Sequence, residues 1–298
     1  MTALAVTIVG PGRMGLALGA VLMQADAVAS LTVFGRRPEP PAHPLFTQGH
    51  ARYVFGVEPL DPDTSALLLA VPDGVVPEMA FMMGAQGRAP GGCAAFHLSG
   101  VLPTDVLAPL HEQGYEVGSF HPLLAVSHPV SAVDRFAGSY VAVVGSPEAT
   151  SVARMLVAGI GCRMITVPAG RRPLYHAATV MASSYLLPLL DLSVRLMERA
   201  GVSREDALPA LLPLVRSTLA TIEERGIAPS AQGPIAGGDV ETVALHLRAL
   251  EPEDRRTYAL FGAEILRLAG PEIDSDARSE LADLFGRYVE PGTMETGQ

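Results

Sequence analysis

The side chains that best suit proton transfer, by type and position, belong to His176, His121 and Ser99. The pKa of an imidazole is ordinarily about 6.5, so a histidine can exchange a proton near neutral pH. All 21 Lys+Arg residues of the chain are arginines, so lysine chemistry is excluded. Arginine can stabilise an anion but keeps its proton. The acid must therefore be a histidine, tyrosine, serine or carboxylic acid.

His176 is the preferred proton donor. It lies at the start of a predicted apolar helix, where two domains are expected to meet, and Thr179 and Ser183 follow it on the same helical face. A polar stripe on an apolar helix favours a solvated cleft at this point. The alternative is that His176 only forms a hydrogen bond at the helix start.

Ser99 and His121 are further candidates, each close to the end of a strand. Ser99 and Gly100 follow a predicted strand, and ligands of open α/β sheets bind beyond the carboxyl ends of strands. Ser99 could contact such a ligand while Gly100 permits close approach, although Ser-Gly is also a common turn. His121 precedes Pro122 on a loop predicted after residues 118–120. The rigid proline either aims His121 into a cleft or forms a structural turn only.

A glycine-rich turn follows the first predicted strand and opens the first predicted helix. The motif is G-x-G-x-x-G, and its residues are Gly10, Pro11, Gly12, Arg13, Met14 and Gly15. In this context the first glycine permits a tight turn, the second lets the backbone approach a pyrophosphate, and the third lets helix and strand pack closely. The helix N-terminus adds free N–H groups and a positive dipole. The motif therefore predicts a dinucleotide site.

The end of the second predicted strand indicates which dinucleotide is bound. Chains that bind NAD usually carry an acidic residue about 20 positions after the glycines. That position falls at Gly35, and Arg36 and Arg37 follow it. Two guanidinium groups suit a 2′-phosphate, which a carboxylate would repel. The sequence therefore favours NADP, although the two arginines could also be a solvated surface pair.

A third predicted strand should bring more residues to the same cofactor. Ala70, Val71 and Pro72 are expected to pass near its ribose, and Asp73 could cap the helix that follows. The histidines and cysteines show no spacing typical of a metal site, so no metal is expected.

The elements that must position these residues divide the chain into two halves. The first half alternates short apolar runs with helical segments, which predicts a parallel sheet covered on both faces. Predicted strands cover residues 3–9, 31–34, 66–71, 94–98, 139–144 and 163–167, and predicted helices cover 14–25 and 147–159. The second half is predicted helical over 176–199, 203–226, 239–250, 254–268 and 276–288. We expect a dinucleotide-binding domain in 1–169 and an all-α domain in 170–298.

The helices of the second half carry further signals. The segment 176–199 is apolar almost all round, so it is expected to be buried, with a kink at Pro188. Ser203 should cap the next helix in a capping-box arrangement with Asp206. Pro209 and Pro213 should bend or split that helix. Residues 290–298 are expected to be frayed.

The composition excludes several classes of protein. With 31 acidic and 21 basic residues the formal net charge is −10, which opposes binding to nucleic acid. A hydrophobic content of 49% is too high for a disordered chain. Cys93 and Cys162 do not form a disulfide framework or a metal quartet. The sequence shows no secretory signal and no uninterrupted apolar run of membrane length, so we expect a cytoplasmic protein.

Motifs spread over nearly the whole chain give it a resemblance to a known group. Besides 10–15 they are residues 71–73 (Val-Pro-Asp), 97–100 (His-Leu-Ser-Gly), 121–123 (His-Pro-Leu), 175–178 (Tyr-His-Ala-Ala) and 233–236 (Gly-Pro-Ile-Ala). In this order they resemble proteins that join a Rossmann-like domain to a helical domain of unknown function, DUF2520. That group is similar to F420-dependent NADP reductases, pyrroline-5-carboxylate reductases and 6-phosphogluconate-dehydrogenase-like enzymes.

Three positions depart from the pattern of that group. Arg172 stands where a lysine is usual, Ser184 where an asparagine is usual, and Gly237 replaces an arginine. The first change keeps the charge but removes a titratable amine, and the other two remove polar groups from the expected substrate pocket. Arg171 and Arg172 could hold an anionic substrate or form a salt bridge between domains.

The residues and the resemblance together predict an α/β protein, with an N-terminal Rossmann-type parallel sheet and a C-terminal all-α domain. The expected function is an NADPH-dependent oxidoreductase that reduces a carbonyl or imine of a small anionic metabolite, with a ketopantoate-reductase-like reaction as one option. The substrate should bind between the domains, near Ser99, His121 and His176. The alternatives are hydride exchange between NADP and F420, and an NADPH-binding sensor without turnover. The apolar helices also predict a homodimer through the C-terminal domain.

Overall fold

The computed structural model of the chain describes residues 4–271 and 273–289. The chain forms two compact units, and it passes from the first unit to the second between Tyr185 and Leu186.

The first unit is built on one sheet of eight strands. They are β1 (Leu4–Val9), β2 (Val28–Gly35), β3 (Arg52–Phe55), β4 (Thr64–Leu69), β5 (Ala94–His97), β6 (Glu116–Pro122), β7 (Tyr140–Gly145) and β8 (Arg163–Thr166). Their order in the sheet is β3-β2-β1-β4-β5-β6-β7-β8. All neighbouring strands are parallel except β6 and β7, which are antiparallel. The predicted fold class, a largely parallel sheet of Rossmann type, is confirmed.

Helices cover both faces of this sheet because its central strands are apolar on both sides. The helices of the first unit are α1 (Arg13–Gln24), α2 (Pro44–Thr47), α3 (Val76–Gly84), α4 (Ala108–His111), α5 (Pro147–Gly159) and α6 (Arg172–Ser183). Ile8 and Leu68 pack in one core with residues of α1 and α5. Leu67 and Leu69 point the other way and pack with residues of α3. This alternation follows from the two-residue period of a strand.

Two strands, β3 and β6, were not predicted from the sequence. The edge strand β3 is short and mostly exposed, so its sequence carries no continuous apolar run. The strand β6 contains glycine and polar residues, and it ends in proline. His121 and Pro122 were expected on a loop, but they lie inside β6, paired with Ala142 and Val141 of β7. The prediction of a loop is therefore wrong, because pairing with β7 extends the strand through Pro122.

The boundary between the units lies later in the chain than the one we expected at residue 169. Helix α6 belongs to the first unit. The buried side chain of Arg172 anchors it there, with hydrogen bonds to the Ser119 hydroxyl and the Ser99 carbonyl. The predicted boundary was placed where the strand pattern ends, and that pattern contains no information on the contacts of Arg172.

The second unit is helical. Its helices are α7 (Leu186–Arg199), α8 (Arg204–Arg225), α9 (Val240–Ala249), α10 (Pro252–Leu268) and α11 (Ser275–Val289). The last three pack around a core that includes Val243, Leu247, Leu281 and Phe285. Asp239 caps α9 by accepting a hydrogen bond from the Thr242 amide, at 3.0 Å. The residues 290–298, which we expected to be frayed, lie outside the described part of the chain.

The segment 176–199 is two helices instead of one kinked helix. The regular helix is interrupted by a turn at Ser184 and Tyr185, where the Tyr185 amide donates to the Val180 carbonyl. Pro188 lies in the first turn of α7, where its missing N–H costs no helical hydrogen bond. The expectation that this segment is buried is wrong for the single chain, since Leu187 is 70% exposed and Val194 is the only buried residue of α7. By length and composition alone, the stretch Arg172–Arg199 is apolar enough to cross a membrane.

Helix α8 begins as predicted. The Ser203 hydroxyl accepts a hydrogen bond from the Asp206 amide and donates one to the Asp206 carboxylate. Pro209 and Pro213 do not split the helix, which continues to Arg225. Among its residues only Ala207 is buried.

Candidate functional site

Most of the predicted site residues lie along one edge of the sheet. The parallel strands β1, β2, β4, β5 and β6 all end at this edge. Gly10 follows β1, Gly35 ends β2, Ala70 follows β4, Ser99 comes soon after β5, and His121 lies near the end of β6. Such an edge is where ligands bind in open α/β sheets.

Two glycines of the turn are required by the protein's own packing. Gly10 has a φ of +106°, and a Cβ there would lie 2.5 Å from the Ala70 carbonyl oxygen. A Cβ at Gly15 would overlap the Gly10 carbonyl oxygen. The turn therefore fits tightly against Ala70, directly after β4. The Gly10 amide donates to the Phe34 carbonyl, at 2.9 Å.

Gly12 has no such reason to be glycine. Its φ is −78°, which any residue can adopt, and a Cβ there would meet no atom within 4 Å. It is the N-cap of α1, and no side chain caps that helix within the described residues. The open space in front of Gly12 and the uncapped amides of the first turn fit the phosphates of a dinucleotide. Pro11 and Met14 are half-buried beside it, and Arg13 is exposed.

The arginines after β2 are exposed at the same edge. Gly35 lacks a side chain because the Tyr53 ring lies against it. The Tyr53 hydroxyl donates to the Arg37 carbonyl, at 2.6 Å, and this bond fixes the backbone of the turn. Within the described residues, neither Arg36 nor Arg37 forms a salt bridge, so both guanidinium groups are available to an anion.

The hydroxyl of Ser99 forms all of its hydrogen bonds within the protein. It donates to the Asp73 carboxylate at 2.8 Å and accepts from the Val101 and Leu102 amides at 3.2 and 3.1 Å. A hydroxyl has one donor and two acceptor positions, so these three bonds use all of them. Ser99 thus holds the loop after β5 and ties it to Asp73, which lies in a short 3₁₀ turn and is not the N-cap residue we considered.

Arg172 lies within the first unit and is 1% exposed. One guanidinium nitrogen donates to the Ser119 hydroxyl at 2.6 Å, and another donates to the Ser99 carbonyl. No carboxylate lies within salt-bridge distance of it in the part of the chain that the structure describes. Neither role considered from the sequence, direct substrate contact or an interdomain salt bridge, matches this position. Arg171 is exposed.

Two histidines and a tyrosine converge at the end of β6. His121 Nδ1 lies 2.7 Å from the Tyr175 hydroxyl, and the His121 and His176 rings are 6.1 Å apart. A Cβ at Gly100 would lie 2.6 Å from the His176 ring and 2.9 Å from the His121 ring. Gly100, His121 and His176 therefore lie together, because the two imidazoles occupy the space that a side chain at position 100 would take.

The expected polar stripe on α6 has a different role. The Thr179 hydroxyl donates to the His176 carbonyl at 2.8 Å, and the Ser183 hydroxyl donates to the Thr179 carbonyl at 2.7 Å. These hydroxyls bond to the backbone of their own helix. The residue that sequence reasoning missed is Tyr175. Its spacing of three residues from Arg172, which puts both on one helical face, was the available signal.

The electrostatics of the site keep its buried histidines neutral. Burial holds the pKa of His97 at about 4, and the nearby Arg172 charge lowers it too. Burial, then His176 and Arg172, hold the pKa of His121 at about 4. Burial raises the pKa of Tyr175 to about 12, and Arg172 opposes that rise. His97 is fully buried.

Metal ligands are not clustered anywhere in the described residues: no group of three His, Cys, Asp or Glu side chains could hold an ion there.

Comparisons with known families divide the chain in the same order as its motifs. Residues 1–122 match the family described as a Rossmann-like domain. Residues 139–265 match the family described as a domain of unknown function, DUF2520. The resemblance inferred from the motifs is thereby confirmed. No curated protein matches the chain.

Solved structures share this fold at low sequence identity. A Thermotoga maritima protein is 17% identical with a TM-score of 0.70, covering 89% of this chain and 98% of its own. The Aspergillus terreus reductive aminase, in complex with NADPH and ethyl-5-oxohexanoate, is 17% identical with a TM-score of 0.58, covering 98% and 95%. A Plasmodium falciparum pyrroline carboxylate reductase with NADP bound is 12% identical with a TM-score of 0.59, covering 96% and 99%. At these identities the likeness shows a common fold.

The two buried histidines should make stability depend on pH. Their pKa values of about 4 in the folded protein lie below the unfolded value of 6.5, so the unfolded state takes up protons first as the pH falls. The free energy of unfolding should therefore be highest above pH 6.5 and fall toward pH 4, by up to about 1.4 kcal/mol per pH unit for each histidine. Urea unfolding followed by circular dichroism at pH 7, 6 and 5 measures this. His97→Leu should flatten the slope, and a wild-type stability that is constant from pH 7 to 5 would contradict the prediction.

Proposed function

The chain joins a Rossmann-like domain to a DUF2520 domain, and on that premise we propose that it is an NADPH-dependent oxidoreductase. The proposed reaction is reduction of a carbonyl or imine in a small anionic metabolite. The single observation that carries the proposal concerns Gly12. Neither a neighbouring atom nor the backbone angles of Gly12 would exclude a side chain at this position. A dinucleotide pyrophosphate bound at the uncapped N-terminus of α1 would need this space, and that explains the glycine.

The proposed choice of NADPH over NADH rests on the residues after β2. Gly35 stands where an acidic residue would hold a ribose 2′-hydroxyl, and Arg36 and Arg37 follow it with exposed guanidinium groups. These suit a phosphate on that ribose. Two of the structural neighbours, the reductive aminase and the pyrroline carboxylate reductase, are themselves bound to NADPH or NADP.

When bound, a reduced nicotinamide would supply the hydride. The residues of this chain would bind the cofactor and the substrate, orient them and supply the proton. Gly100 leaves the space that the His121 and His176 rings occupy, and Ser99 and Asp73 fix the loop beside it. The two histidines would face the reacting group. The buried Arg172 has no carboxylate in contact within the described residues, so its charge would favour an anionic substrate near this edge.

Gly12→Ala tests the phosphate site. The Cβ meets only open space, so the substitution should lower stability by about 1 kcal/mol or less, the cost of alanine at an N-cap, but it should weaken NADPH binding about tenfold or more. Isothermal titration calorimetry with NADPH measures this. Gly286→Ala is the matched control, since Gly286 lies in α11 with equally open space around it. Equal NADPH affinity in the Gly12→Ala protein and the wild type would refute the proposed site.

Replacing Arg36 and Arg37 by alanine tests the choice of cofactor. Loss of the charged contacts should weaken NADPH binding by about 1–3 kcal/mol, while the affinity for NADH hardly changes. Arg52→Ala, which removes one arginine on β3 that already pairs with Glu58, is a control for the loss of a nearby positive charge. An equal loss for both cofactors would argue against a 2′-phosphate contact.

Tight NADPH binding without turnover on any keto acid, imine or F420 would favour a non-catalytic sensor.

We also propose that a second copy of the chain covers α7 and α8. Leu187, Leu214 and Leu219 are 70%, 65% and 51% exposed. Between Asp206 and Glu223, α8 carries Arg216 as its single charged residue. Apolar exposure on this scale marks an interaction surface, and most soluble oligomers are formed by identical chains.

Leu214→Glu combined with Leu219→Glu tests this interface. Sedimentation velocity at micromolar concentration should give a dimer for the wild type and a monomer for the double variant, because two buried charges would oppose association. Phe55→Glu changes an exposed apolar residue on β3 and should leave the dimer intact. A monomeric wild type, or one that partitions into lipid vesicles, would contradict the proposal.

A further inference from the structure

We infer that Tyr175 is the proton reservoir of the site and passes its proton to the substrate through His121. This inference rests on the proposed function, because it assigns a source to the proton that the reduction consumes. It makes Tyr175 a relay residue, acting through the imidazole that faces the reacting group.

The geometry of the pair carries the inference. His121 Nδ1 and the Tyr175 hydroxyl are 2.7 Å apart, and the two rings meet edge to face at 89°. Nε2 of His121 lies on the other side of the ring, 3.0 Å from the place of a Cβ at Gly100, and the side chain is half-buried. One ring nitrogen therefore faces the tyrosine while the other is left for a ligand beside Gly100. An imidazole with this arrangement can pass a proton from one side to the other.

His121 cannot supply the proton alone. With a pKa of about 4 its ring is neutral at pH 7, so it carries one N–H and no surplus proton. A neutral imidazole that gives up the proton on Nε2 must receive another on Nδ1. The Tyr175 hydroxyl is the group placed to provide it.

The surroundings act on Tyr175 in two opposite ways, since burial raises its pKa to about 12 and the Arg172 cation opposes that rise. A phenolic O–H is a better acid than a neutral imidazole N–H, so Tyr175 is the donor of the 2.7 Å hydrogen bond. The charged and titratable side chains that face the pair are Asp73 in the 3₁₀ turn after β4, His97 at the end of β5, and Arg172 and His176 on α6. The Arg172 cation stabilises the phenolate that the transfer creates.

The proton step balances. The substrate oxygen or nitrogen, made basic by the hydride that a reduced nicotinamide provides, takes the proton from Nε2 of His121. The Tyr175 O–H bond breaks and a bond between that hydrogen and Nδ1 forms, so the imidazole stays neutral throughout. The phenolate left on Tyr175 then takes a proton from water. An alkoxide is a stronger base than a phenolate, so the overall transfer is downhill.

The chain contains a matched control pair. In the second unit, His246 Nδ1 lies 2.8 Å from the Tyr258 hydroxyl, with rings edge to face at 83°. This pair has the same chemistry and spacing but takes no part in the proposed site. Tyr258→Phe therefore removes an equivalent hydrogen bond without touching the relay.

Nitrogen NMR of the ¹⁵N-labelled full chain tests the relay without cofactor or substrate. At pH 7 the His121 ring, assigned by loss of its signals in His121→Gln, should carry its proton on Nε2. Tyr175→Phe should shift the Nδ1 resonance of His121, while Tyr258→Phe should shift only that of His246. A wild-type His121 that carries its proton on Nδ1, or a His121 spectrum unchanged by Tyr175→Phe, would overturn the inference.

A kinetic measurement with NADPH and a panel of 2-oxo acids and cyclic imino acids gives the second test. Tyr175→Phe should lower kcat by roughly 10²–10⁴-fold, the scale of general acid catalysis, with little change in the Kd for NADPH. A kcat equal to that of Tyr258→Phe would overturn the relay. If no panel member reacts, the NMR result alone decides. A wild type that fails to bind NADPH would instead refute the proposed function and leave the NMR result intact.

Discussion

The buried guanidinium of Arg172 is the interaction on which the arrangement of the site depends. It joins α6 to the ends of two neighbouring strands, through the Ser99 carbonyl after β5 and the Ser119 hydroxyl in β6. A charge this deeply buried needs acceptors, and both terminal nitrogens of the guanidinium find them, whereas Nε has none within the described residues. The same bonds place Tyr175, one helical turn further on, against His121. A lysine at this position has a single donor group and could not reach both acceptors in the same planar geometry.

The glycines of the site fall into two physical groups. Gly10, Gly15, Gly35 and Gly100 are glycine because another part of the protein occupies the place of a side chain. Gly12 is different, because neither its backbone angles nor its neighbours exclude a side chain. The distinction separates glycines that build the turn from the glycine that leaves room for something outside the chain. A motif alone treats them alike, whereas the packing around each one tells them apart.

The helices α7 and α8 show that an apolar sequence does not by itself imply burial within the chain. The pattern of residues 176–199 predicted a buried helix, yet within the single chain most of it is exposed. An apolar composition indicates that a helix face is unfavourable in water, but it does not indicate which other surface packs against that face. The three helices from Val240 to Val289 follow the simpler rule, because their apolar faces meet one another in one core.

The sequence by itself determined the features that depend on neighbouring residues. The glycine turn, six of the strands, the Ser203 cap and the succession of two families are all local patterns. The tertiary structure alone decided what depends on distant residues. His121 lies in a strand because β7 pairs with it, and it meets Tyr175, 54 positions away in the chain, because Arg172 holds α6 to the sheet. Burial then sets the pKa of His121, and burial is a property of the assembled fold, which the spacing of residues along the chain does not contain.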